Sequence, residues 1–180
     1  MNRSRLVMLL MLAVAAVFAA ISVAFYHSMT RRVIRFWGTD ETRLVMDAPI
    51  VEALRLWPPP AKPPTADSSQ VVASAQEMLS FPGGEVEIFE RRDVTAAGGL
   101  EALKHGLLED ANYEWAADPS TGPRQWQYAL EFSDGPKRRT VLFDFKNHVM
   151  ARAETGATVA LADSAASWEK FFTDVFAAPR

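Results

Sequence analysis

Three histidines are the first candidates for chemistry in this 180-residue chain: His27, His105 and His148. A zinc site draws on three or four converging ligands, usually with a close pair such as His-x-x-x-His. No such pair is present, and the chain has no cysteine, which removes thiolate ligands, thiolate nucleophiles and disulfides together. Two carboxylates are better placed. Glu131 and Asp144 fall on strand-like segments joined by a turn, where a pair could do general acid–base work on a hydrolysable bond. The competing reading makes them solvent-facing charges on the open side of a sheet, paired with Lys146 or Arg139, and it is the one favoured here. Serine lacks a Gly-x-Ser-x-Gly elbow. Gly83-Gly84 and Gly98-Gly99 are isolated pairs that belong to neither a dinucleotide fingerprint nor a phosphate loop. No catalytic, cofactor-binding or metal-ligating residue is assigned, and no cofactor or small-molecule ligand is inferred.

The segment that does carry a clear physical message is Leu6 to Tyr26, 21 residues without a charge. As a helix it would extend roughly 31 Å, about the thickness of a bilayer's hydrocarbon core. Arg3 and Arg5 precede it, and Arg31, Arg32 and Arg35 follow. The expectation is a single-pass membrane helix whose partner is the lipid bilayer through residues 6–26. A cleaved signal peptide competes, with Ser22-Val23-Ala24 as a small-x-small site. An apolar stretch of 21 residues exceeds the about 7–15 usual in such signals. The arginine balance across the run is near parity, and a short tail before a first apolar helix suits a signal-anchor. The expected location is therefore the inner membrane of a bacterial cell, with the C-terminal part outside the cytoplasm.

From Phe36 onward 14 Lys+Arg face all 22 Asp+Glu, about −8, whereas the whole chain carries −3. Such a surface repels phosphate backbones at long range, so no nucleic-acid partner is expected. Arg31-Arg32-Val33-Ile34-Arg35-Phe36-Trp37 is the local exception. It reads as an interfacial belt in which arginines meet lipid phosphates and Trp37 sits at the boundary.

These residues imply the following organisation. Residues 1–35 form the anchor. Residues 36–57 form a short juxtamembrane piece, with a strand over Thr42–Met46 and a helix starting at Asp47-Ala48-Pro49, capped by Asp47. Residues 58–69 form a proline-rich linker, extended enough to act as a stalk. Residues 70–180 form an α+β domain. Ser69 is expected to cap a helix through Leu79, Pro82-Gly83-Gly84 to turn, and Glu85–Arg91 to form a half-buried strand. A helix of about 11 residues follows Gly98-Gly99, with the stripe Leu100, Leu103, Leu107 and Ala111. Tyr113–Trp115 suggests a short strand, leaving Trp57 and Trp115 at element ends. Trp126, Tyr128, Leu130 and Phe132 alternate with polar or small residues. Thr140–Lys146, His148–Glu154 and Thr158–Leu161 continue an antiparallel meander with one aromatic face. Asp163 or Ser164 caps a last helix, whose stripe of Trp168, Phe171, Phe172, Val175 and Phe176 packs on that face.

The functional expectation is a membrane-anchored, non-enzymatic protein that displays a small α+β domain and works through contacts with a protein partner. The alternatives are a membrane-tethered hydrolase built on Glu131 and Asp144, and a secreted protein released from a signal peptide.

Overall fold

The computed structural model describes residues 3–56, 77–119 and 122–178. A helix α1 runs from Arg3 to Trp37 and is followed at once by α2, Thr39–Asp47. Gly38 separates them at φ 88, a left-handed conformation that a side chain would resist. The Thr42 hydroxyl donates to the Gly38 carbonyl at 2.7 Å and closes the first turn of α2.

Eight strands follow: β1 Ile50–Arg55, β2 Glu77–Phe81, β3 Gly84–Ile88, β4 Glu90–Asp93, β5 Tyr128–Asp134, β6 Lys137–Asp144, β7 Val149–Arg152 and β8 Thr158–Ala160. Helix α3, Leu100–Leu107, and a short 3-10 turn at Asp110–Asn112 lie between β4 and β5, and α4, Ala166–Ala177, follows β8. Six strands form one antiparallel sheet in the order β4-β1-β5-β6-β7-β8, while β2 and β3 make a separate hairpin. The class is α+β with an antiparallel sheet and a C-terminal helix, as the residue pattern implies.

Three layers result. On one face of the sheet Val51, Ala53, Leu130, Phe132, Val141, Phe143 and Met150 meet Val33 and Trp37 of α1, Val45 of α2, the Leu100, Leu103 and Leu107 stripe of α3, and the aromatic stripe of α4. On the other face Leu54, Ala129, Leu142, Val149 and Ala151 are covered by Leu79, Phe81, Val86 and Ile88 of the β2–β3 hairpin. The meander was expected to leave one face open; the hairpin closes it. Trp126 lies before β5 begins, so strict alternation does not govern it, and it packs against Phe81 on this second face with ring centroids 6.2 Å apart.

Several expected elements change type. Thr42–Met46 is helical, and the Asp47-Ala48-Pro49 sequence ends a helix. Ala48, immediately before the proline, sits at φ −53, ψ 121, the extended conformation that a following proline favours. Ile50–Arg55 is a central strand bonded to both β4 and β5, so this part of the expected juxtamembrane piece shares the sheet of the C-terminal region. The proline-rich segment 58–69, Trp57 and the start of the helix expected from Ser69 lie outside the described residues. Residues 77–79, the end of that expected helix, belong to strand β2. Its partner strand ends at Ile88, and Phe89 separates it from β4. Ala111 is exposed, and Tyr113 makes a single bridge to Leu161. Helix α4 carries no side-chain cap at its start, where a 3-10 turn at Asp163–Ala165 leads in.

The end of α4 is satisfied from the sheet. Its last turn has no basic residue, yet its free carbonyls need donors. Arg92 Nη1 donates to the Val175 and Ala178 carbonyls, both at 2.7 Å, and Arg55 Nη2 donates to the Phe176 carbonyl at 3.3 Å. Glu90 holds both guanidinium groups in place. Arg91-Arg92, which reads as a charged strand end, is thus split by the strand period: Arg92 caps a helix and Arg91 faces the other way.

Within α1 the Met11, Leu12, Val14, Val17, Phe18 and Ile21 side chains are all exposed, Met11 to 71 % and Phe18 to 69 %. Among the described residues no helix is long and apolar enough to cross a membrane. The single-pass span expected over residues 6–26 is thus not supported among the described residues. At its other end the same helix enters the core. Trp37 is 1 % exposed, and its indole N–H donates to the Leu107 carbonyl at 2.9 Å. Trp37 is therefore a core residue and not a lipid-boundary anchor.

Candidate functional site

Glu131 and Asp144 do not form a pair. Glu131 lies opposite Thr140 in the β5–β6 register, four residues before Asp144 on β6. At about 3.4 Å per residue that separates them by roughly 14 Å along the strand, beyond the spacing of glycosidase carboxylates. Neither faces solvent as expected.

Asp144 is fully buried. Its carboxylate accepts from the Gln125 N–H at 2.9 Å, the Asn147 N–H at 3.1 Å and the Asn147 side-chain amide at 2.7 Å. It joins the chain entering β5 to the turn after β6, a positioning task that explains its burial without chemistry. Asp144→Ala leaves two backbone N–H groups without their acceptor, at about 1–3 kcal/mol each. A urea titration should place its unfolding free energy on the order of 3 kcal/mol below wild type, with Asp144→Asn, which keeps one oxygen, losing less. Equal stability of Asp144→Ala and wild type would contradict this role.

Glu131 belongs to a different cluster. It lies directly across the strand pair from Glu52, and two carboxylates in that register repel. Arg91 relieves them. Its Nη1 donates to Glu52 at 2.6 Å and lies 3.5 Å from Glu131, and its Nη2 bonds to Glu77 of the hairpin. Arg138 approaches Glu131 at 3.4 Å. Burial alone would lower the Arg91 pKa, but the hydrogen bond to Glu77 and the charges of Glu52 and Glu131 raise it above the ordinary value. The cluster fastens the hairpin to the sheet.

The other candidates stay apart. His105 is exposed on α3, and His148 is exposed at φ 51 in the turn before β7. The side chain of His27 is outside the described residues. Among the described residues no three His, Cys, Asp or Glu side chains gather as a metal ion would need. The Gly98-Gly99 pair forms the entry turn of α3, where Gly99 adopts φ 89 and a Cβ in its place would meet the Phe171 ring at 3.6 Å.

Two concavities carry the chemistry that remains. The first, about 620 Å³, lies between the hairpin and the sheet, with Phe81, Val86, Phe89 and Trp126 as its apolar wall. Arg124 contributes a guanidinium nitrogen, Nη1, that is buried without a hydrogen-bond partner. The second, about 610 Å³, is lined by Arg32, Arg35 and Phe36 of α1, by Trp115 and Ala116, and by Arg152, Thr155 and Ala157 around β7. Trp115 packs against Phe36 at 6.1 Å and donates to the Asp110 carbonyl at 3.2 Å. Asp110 in turn accepts from the Val33 N–H at 3.1 Å, tying the loop to α1. Arg124 and Arg152 were not singled out in the sequence. Neither stands in a motif, and only the fold brings them to a hollow.

These features define an α+β domain packed against the C-terminal end of a 35-residue helix and carrying two concavities. No family model matches the chain, and no curated protein or solved structure is detectably similar to it.

Proposed function

We propose that this is a single-pass membrane protein, anchored through residues 6–26, whose α+β domain is held against the bilayer surface and acts through contacts with a protein partner. The observation that carries the reading is the exposed apolar surface of α1. Met11, Val14, Val17, Phe18 and Ile21 share one side of the helix, Leu12 and the alanines at 13, 15, 16, 19 and 20 make up the rest, and all are exposed among the described residues. A helix apolar on all sides belongs in lipid or in a protein core. The uncharged run of 21 residues in which they sit has the length that lipid requires.

The juncture between anchor and domain supports surface display without a stalk. Val33 and Trp37 of the same helix are packed into the domain, so its position is set by the helix itself. A domain fixed at the membrane is suited to meeting a partner in or beside that membrane. The hollow walled by Phe81, Val86, Phe89 and Trp126 offers an anchor seat for it. The C-terminal domain is assigned to the non-cytoplasmic side of a bacterial inner membrane, on the signal-anchor pattern of a short basic tail before the first apolar helix.

Two experiments on the full-length chain test the reading. Alkaline carbonate extraction of cell membranes should leave the protein in the pellet, and a terminal reporter fusion should place the C terminus outside the cytoplasm. Release into the supernatant would overturn the anchor. In-cell cross-linking followed by detergent solubilisation should recover a stoichiometric protein partner, and Phe89→Glu, at an exposed position of the same hollow, should lose it. Recovery of the chain alone would overturn the interaction half.

A further inference from the structure

The hollow beside the end of α1 has a chemistry of its own. Arg32 and Arg35 stand three residues apart on one helix, so their side chains share a face. Both are exposed, and among the described residues neither has a hydrogen-bond or ion-pair partner. They form one wall of the 610 Å³ hollow, and Trp115 and Arg152 form the other. Arg152 is held in place: Nη1 donates to the Phe36 carbonyl at 2.6 Å, and Nη2 lies 3.5 Å from Glu41. The hollow thus combines two free guanidinium groups, one fixed one, and the rings of Phe36 and Trp115. This gathering of positive charge is local, since the chain beyond Arg35 carries about −8.

Its height relative to the bilayer follows from helix geometry. Arg32 is six residues beyond Tyr26, about 9 Å along the axis. The headgroup layer on each side is roughly 5–8 Å deep, so an arginine side chain starting there reaches back to the phosphates. Guanidinium groups bind phosphate oxygens through paired N–H donors, and adjacent aromatic rings suit the glycerol and upper acyl region.

Resting on the membrane reading above, we propose that this hollow binds the phosphate headgroup of an anionic phospholipid from the leaflet that adjoins the domain. Arg32 and Arg35 grip the phosphate, Arg152 supports them, and Phe36 and Trp115 line the entry. Basic pockets at this depth are a general means of headgroup recognition.

Native mass spectrometry of the full-length protein, released from nanodiscs of phosphatidylglycerol mixed with phosphatidylcholine, tests the assignment. Wild type should retain phosphatidylglycerol in preference to phosphatidylcholine. The double variant Arg32→Gln, Arg35→Gln should lose that preference by about tenfold to thirtyfold, since each surface arginine contributes a comparable increment of attraction to anionic lipid. Circular dichroism should be unchanged, because both side chains are exposed. Equal retention of the two lipids by wild type, or an undiminished preference in the double variant, would overturn the site. Full displacement of the lipid by millimolar inorganic phosphate would overturn the lipid assignment in favour of a soluble anion. Carbonate extraction of the double variant keeps the two readings apart. The apolar run is intact there, so pelleting with loss of lipid preference supports both, and release of wild type sinks the anchor itself.

Discussion

Trp37→Ala should lower the unfolding free energy by about 3–5 kcal/mol, the loss typical of removing a fully buried large aromatic side chain. Trp37 lies at the junction of α1, α2 and α3, edge-on to Phe36 at 5.7 Å, and its indole N–H and the Tyr113 hydroxyl converge on the Leu107 carbonyl. Burial pushes the Tyr113 phenol well above its ordinary range, so it remains a neutral donor there. Truncation of Trp37 removes one of two donors and opens a cavity in the joint that connects helix and domain. For a domain of this size the loss corresponds to a fall in Tm on the order of 10 °C, read by circular dichroism in detergent. Trp37→Phe refills most of the volume and should cost about 1–2 kcal/mol. An interfacial Trp37 would give the opposite pattern, with alanine altering membrane affinity and leaving domain stability untouched.

Phe172→Ala should be comparably severe, at about 3–5 kcal/mol. The side chain is fully buried between α4 and the sheet, stacked on Tyr128 at 4.8 Å and within 5.2 Å of Phe143 and 5.9 Å of Phe145. Such ring pairs add about 0.5–1.5 kcal/mol beyond the buried area. Phe89→Ala is the natural comparison, since Phe89 is 41 % exposed and should change stability by no more than about 0.5 kcal/mol. Equal effects of the two substitutions under urea would mean that α4 does not close the core as described.

The contrast between Phe172 and Trp37 indicates which parts of this fold are legible in the chain. The aromatic stripe of α4 and the alternation of Tyr128, Leu130 and Phe132 are periodic over short windows, and the Asp134-Gly135-Pro136 sequence marks the turn between β5 and β6. Local periodicity therefore yields the meander and its covering helix. Thr42–Met46 misleads because threonine, valine and methionine read as strand, while Gly38, a helix separator here, leaves no periodic trace. Met78 and Leu79 fit a helical stripe with Val72 and Ala75 as well as they fit a strand. Only pairing with Val86 and Ile88 decides between these, and pairing is a property of two segments.

The candidate carboxylates show the same limit. Alternation correctly sets Asp144 apart from Phe143 and Phe145, but the Gln125 and Asn147 donors that bury it arrive through tertiary structure. Glu131 finds Arg91, forty residues earlier in the chain, and no spacing rule links them. The hollow of Arg32, Arg35, Trp115 and Arg152 likewise draws on three separate stretches, of which only the first was conspicuous as basic and aromatic.

On the proposed membrane reading, helix α1 continues from the bilayer into the domain core as one rigid unit. The absence of cysteine allows spin labels to be placed without removing native thiols. Labels at Ser22→Cys and Glu101→Cys, in the full-length protein in lipid nanodiscs, would report the distance from α1 to α3 by pulsed electron resonance. A single narrow distribution, broadened by Trp37→Ala, is the expected result. A broad distribution in the wild-type background, unchanged by Trp37→Ala, would contradict the account.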